Sequence, residues 1–162
     1  MSAYVTMQTP MTDVECLIDA LIDLGFDRAQ IETHSQPVQL PGNLDDGRTR
    51  TANIVVRPMR IGRSTNSLGF LASPTGFQAT IYDRQQFNST WFAHLNQRYH
   101  VHEEAKKSRL AAAAIRQFEE EKRKLVEAQR QAVHERAKKM GYRVEEKREG
   151  ENLRLVLVKR TY

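Results

Sequence analysis

Several things are scarce in this sequence, and each scarcity closes off a class of protein. There is one cysteine, Cys16, so no disulfide can form within the chain. No apolar run approaches the ~18 residues needed to cross a bilayer, and the opening MSAYVTMQTPMTD lacks the basic and apolar regions of a secretory signal. The expectation is a soluble, cytoplasmic protein in a reducing setting. Phosphate-loop, dinucleotide and nucleophile-elbow motifs are absent, which points away from the common enzyme classes. No internal repeat recurs at a fixed period, and no low-complexity linker divides the chain.

What is present is charge. Lys and Arg number 25 against 20 Asp and Glu, a formal charge of +5 that permits contact with nucleic acid or an acidic protein surface and demands neither. The 162 residues suffice for one modest core, so one globular body with an appendage is expected.

The body is predicted over residues 1–102. AYVTMQT alternates as a half-buried strand does and is stopped by Pro10. Thr12 and Glu15 have capping-box spacing ahead of an apolar stripe of Val14, Leu17, Ile18, Leu21 and Leu24, and Gly25 follows as a helix stop. IETHSQPVQL has weak strand character, interrupted by Pro37, before a polar loop holding Asp45 and Asp46, whose role is turn chemistry. TRTANIVVR is a strong strand, with Ala52, Ile54 and Val56 facing one way. SLGFLA and FQATIYD flank a turn at SPTG. Asn88 or Ser89 is placed to cap a helix carrying Trp91, Phe92, Leu95 and Tyr99. YRVEEKRE and NLRLVLVK flank Gly150 as a hairpin over 141–162, expected to complete the body's sheet. The order predicts an α+β fold: a small, mostly antiparallel sheet covered by one or two helices, with a long charged helix or helical hairpin before a C-terminal β-hairpin.

That charged segment, 103–140, has neither Gly nor Pro in its 38 residues and would reach about 57 Å as one helix. Glu103 with Lys107, Glu119 with Arg123, Glu120 with Lys124 and Glu135 with Lys139 all have the favoured Glu-to-cation i,i+4 spacing. A narrow apolar seam runs along it through Leu110, Ala114, Phe118, Leu125, Ala128, Ala132 or Val133, Ala137 and Met140, interrupted by Glu121. Rich in alanine, it suits close packing on another helix, within the chain, in a second copy or in a partner. Leu110, Phe118, Leu125, Val133 and Met140 are the candidate partner-binding residues.

Taken together, the initial strand with TDVECLIDALIDLGF, then GRTRTANIVV, FAHLNQRYHVH and KKMGYRVEEKREGENLRLVLVKR, resemble in order the domain-of-unknown-function 1257 family. That family includes a conserved reading frame of cyanobacterial and plastid genomes. In it a short helical stretch joins the Arg-Tyr segment to the glycine-aromatic start of the last hairpin. Here Gln97-Arg98-Tyr99 and Gly141-Tyr142 stand about forty residues apart, so the charged helix is mostly an addition. The resemblance implies a small accessory protein. Members are often encoded near an ATPase of the AAA+ type, which implies an adaptor or subunit role with such an ATPase as a partner.

The alternative function is non-specific binding of nucleic acid. Arg48, Arg50, Arg57, Arg60 and Arg63 lie around one strand, and the charged segment carries eleven Lys and Arg against seven acidic residues. Against this, the segment's charges interleave by sign, and no helix-turn-helix, zinc-finger or aromatic RNA-binding signature is present. His94, His100 and His102 lack the acidic or cysteine companions of a familiar metal site, and Cys16 has no activating neighbour in sequence. No catalytic residue, metal or cofactor is therefore assigned. The function expected is that of a non-enzymatic adaptor or structural subunit.

Overall fold

Five strands and one short helix form the first part of the structure, a computed structural model that describes residues 4–40, 49–57, 68–81, 87–150 and 152–159. The chain divides into two compact units, Met1–Ser108 and Arg109–Tyr162. The class is α+β, as the order of elements predicts.

In the first unit, β1 (Val5–Gln8), β2 (Ile31–Gln39), β3 (Thr51–Val56), β4 (Leu68–Ser73) and β5 (Gly76–Ile81) make an antiparallel sheet in the order β1-β5-β4-β3-β2. β4 and β5 are joined through Pro74 and Thr75, the turn expected at SPTG. Gly76 has φ 126°, and a Cβ there would lie 2.4 Å from the Thr9 carbonyl oxygen, so both conformation and space require glycine. β2 runs on through Pro37 because it is an edge strand with an irregularity between Thr33 and Val38, the place where a missing N–H costs least.

Helix α1 (Val14–Asp23) covers the sheet with Cys16, Leu17, Ala20 and Leu21. The expected stripe is corrected in two respects. The buried face is turned toward the small side chains of Cys16 and Ala20, which leaves Val14 exposed and Ile18 only partly buried. The N-cap is Asp13 rather than Thr12: its Oδ1 accepts the Cys16 N–H at 3.0 Å, and Glu15 pairs instead with Lys106. The core continues through Ile54, Phe70, Ala79 and Leu95, while Phe26, Phe87, Trp91 and Phe92 pack ring on ring at one margin.

Helix α2 (Ser89–Lys139) joins what the sequence suggested were two segments into one helix of 51 residues. Asn88 Oδ1 accepts the Trp91 N–H at 2.9 Å, which starts it. Gly141, with φ 77°, ends it in the left-handed conformation that glycine adopts freely. The first turns bury Phe92, Leu95 and Tyr99 in the first unit's core.

In the second unit, α2 is followed by β6 (Tyr142–Glu149) and β7 (Asn152–Lys159). Among the described residues these pair only with each other, in a separate two-stranded sheet. The expectation that this hairpin completes the body's sheet is therefore corrected. Its attachment is local: Glu146 of β6 accepts Arg130 Nε at 2.6 Å and lies 2.9 Å from His134 Nε2, so the strand is tied to the last turns of its own helix.

Candidate partner-binding face of the long helix

From Arg109 to Gln129 every side chain of α2 is exposed. Nothing in the composition of that stretch would keep apolar groups in water by choice: Leu110, Ile115, Phe118, Leu125 and Val126 all lie in it. Phe118 is 68% exposed and Leu125 60%. Seven residues apart, they differ by only about 20° around the helix axis, so they share a face. Ile115 and Val126, which the seam read from the sequence left out, widen it on one side. They are eleven residues apart, about three turns, and that spacing was the available signal.

Of the other candidates, Leu110 and Met140 are exposed and Val133 is 39% exposed. Ala137 leaves the seam: it is buried, on the flank where half-buried Arg130 and His134 engage the hairpin. That flank lies about 100–180° around the helix from Phe118 and Leu125. The hairpin thus covers one side of the helix and leaves the Phe118–Leu125 side bare. Among the described residues of the second unit, Ala137 is the one buried apolar side chain.

The hairpin repeats the pattern. Cross-strand register puts Val144, Leu155 and Leu157 on the same face as Glu146, toward the helix. Leu153 and Leu157 nevertheless remain exposed. Arg130 and Glu146 reinforce each other, the guanidinium holding the carboxyl below its ordinary value and the carboxylate holding the guanidinium above its own.

The arginines of the alternative reading do not form one surface where they are described. Arg48, Arg60 and Arg63 lie outside the described residues, as do Asp45 and Asp46. Arg50 places its guanidinium 4.4 Å from the centre of the Tyr4 ring. Arg57 grips Glu32 on the neighbouring strand, Nε to Oε1 at 2.6 Å, and holds that carboxyl below its ordinary value. The two stand at opposite ends of β3, about 23 Å apart for extended chain.

The histidines are likewise dispersed among carboxylates. His102 Nε2 lies 2.9 Å from Asp23 and His100 Nδ1 lies 3.3 Å from Glu103, while His94 is exposed. Among the described residues, no three His, Cys, Asp or Glu side chains converge on a point. Burial and the adjacent Asp13 carboxylate push the Cys16 thiol up, the direction that disfavours a reactive thiolate.

No family model, no curated protein and no solved structure matches this chain. No helix among the described residues is long and apolar enough to cross a membrane.

Proposed function

We propose that this protein works by binding, as a non-enzymatic adaptor or structural subunit of a larger cytoplasmic assembly, and that the Phe118–Leu125 side of α2 is its contact surface. One observation carries the reading. The second unit has a single buried apolar side chain among its described residues while six large ones stand in water along its helix. Contiguous exposed apolar surface of that kind marks interaction sites. At roughly 25 cal/mol per Å² of apolar surface, covering it is favourable. The resemblance to a family encoded beside AAA+ ATPases makes such an ATPase the partner class to test first for the assembly.

Non-specific nucleic-acid binding is the competing reading, supported by the excess of basic residues in 103–140. Titrating the full chain against duplex DNA and structured RNA at two salt concentrations separates the two. Phosphate contacts release counterions, so nucleic-acid affinity falls steeply with salt. A contact made by the apolar stripe changes little. The account expects weak binding to either nucleic acid, alongside pull-down of a protein that is lost when α2 is shortened. Tight, salt-sensitive binding to DNA or RNA would reverse the order of the two readings.

A further inference from the structure

Ile115, Phe118, Lys122, Leu125, Gln129 and Ala132 follow one another at steps of three, four, three, four and three, the spacing of the inner positions of a two-stranded coiled coil. We propose that the occupant of this stripe is a second copy of the chain, its α2 lying parallel and in register with the first. The proposal rests on the reading of α2 as a contact surface and names what covers it.

Charge favours a second copy. Glu121 and Lys122 stand on either side of the line through Phe118 and Leu125, about 40–60° to each flank. Their neighbours Glu120 and Lys124 pair within the helix at 2.7 Å. Neither Glu121 nor Lys122 pairs with another charge among the described residues. In a parallel pair the two-fold axis runs along the helices; the inner Lys122 of one copy meets its counterpart there, and its long side chain reaches outward to the Glu121 that flanks the same layer of the other copy, about 1.5 Å away in height. Two opposite-charge pairs then close over Phe118 and Leu125, one on each side.

An antiparallel pair centred on the same turn would instead set Glu121 beside Glu121 on one flank and Lys122 beside Lys122 on the other, so that neither lysine reaches a glutamate of the second copy. A single Lys among the inner positions is also a known device for fixing register and limiting the assembly to two strands. The seam is short and interrupted by polar groups, so the pair dissociates on dilution.

Sedimentation equilibrium of the full chain over a range of concentrations reads this directly. The wild type self-associates to a dimer. Lys122→Glu, which brings like charges together on both flanks, raises the dissociation constant about ten-fold or more. The double variant Glu121→Lys/Lys122→Glu exchanges the partners and returns it to within about three-fold of wild type. In a Cys16→Ala background, oxidation of Leu125→Cys links two chains, whereas Glu120→Cys on the far side of the helix does not. A wild type that stays monomeric throughout overturns the proposal. So does a dimer that neither the charge exchange restores nor residue 125 cross-links. A monomer whose melting temperature is unmoved by charges at 118 and 125 rejects the second copy yet leaves the stripe free for a different protein. A monomer destabilised by those charges rejects both.

Discussion

The ammonium of Lys106 lies 2.7 Å from Oδ2 of Asp13, while Oδ1 of the same carboxylate accepts the Cys16 N–H at 3.0 Å. One side chain thus caps α1 and anchors α2 to it. Burial opposes the ionisation of Asp13, but Lys106 and the Cys16 N–H together hold it below its ordinary value of 3.8. Asp13, followed by Glu15, raises Lys106 above its ordinary 10.5. The carboxylate's contribution to stability is complete above 3.8 and is lost as pH falls through the lower folded value. That of the ammonium is complete below 10.5 and is lost as pH rises through the higher folded value. Lys106→Met is therefore expected to lower the melting temperature near neutrality. The gap from wild type should close as the pH is taken well below 3.8. A gap that stays constant across that range would mean that Lys106 contributes through packing rather than charge.

Tyr99 makes a second link between the same two helices. Its buried hydroxyl oxygen accepts the backbone N–H groups of Thr12 at 3.1 Å and Asp13 at 3.0 Å. Tyr99→Phe removes an acceptor from two donors and is expected to cost about 1–3 kcal/mol in urea unfolding, with the denaturant slope unchanged. A loss below about 0.5 kcal/mol would show that water satisfies both donors equally well.

Leu17 is fully buried beneath α1 against the sheet. Leu17→Ala should cost about 2–5 kcal/mol, as large-to-small changes do in well-packed cores. The same unfolding measurement checks it, and a value under about 0.5 kcal/mol would mean that the site collapses around the smaller side chain.

The parts of this fold that were legible in the sequence are those governed by local periodicity. Alternation in TANIVV, the apolar repeat through Leu17 and Leu21, and the Asn88 cap with Phe92, Leu95 and Tyr99 behind it all specify their elements within a few residues. Pairing decisions were not legible. Nothing local says whether NLRLVLVK joins the five-stranded sheet or pairs only with β6, and the contacts of Arg130 and His134 with Glu146, between residues twelve to sixteen positions apart, leave no periodic trace. The cap at Asp13 rather than Thr12 is local, since Asp is itself a favoured N-cap and its Oδ1 accepts the Cys16 N–H; the ion pair of its other oxygen with Lys106, 93 positions away, was not legible. At the candidate site, Phe118 and Leu125 could be read from their spacing of seven. The departure of Ala137 from the seam could not, since it follows from which flank the hairpin covers.

The central claim is that the Phe118–Leu125 side of α2 is a surface for another molecule and not a contact within the chain. Placing Asp at both positions and measuring thermal stability and assembly on the same preparation tests it most directly. The account predicts a folded double variant, Phe118→Asp/Leu125→Asp, whose melting temperature matches wild type at a dilution where wild type is dissociated, while its association in sedimentation at higher concentration is lost. A drop of several kcal/mol in stability would place those side chains in an intramolecular contact, through the burial of unpaired charge. A variant as stable and as fully assembled as wild type would contradict the claim outright.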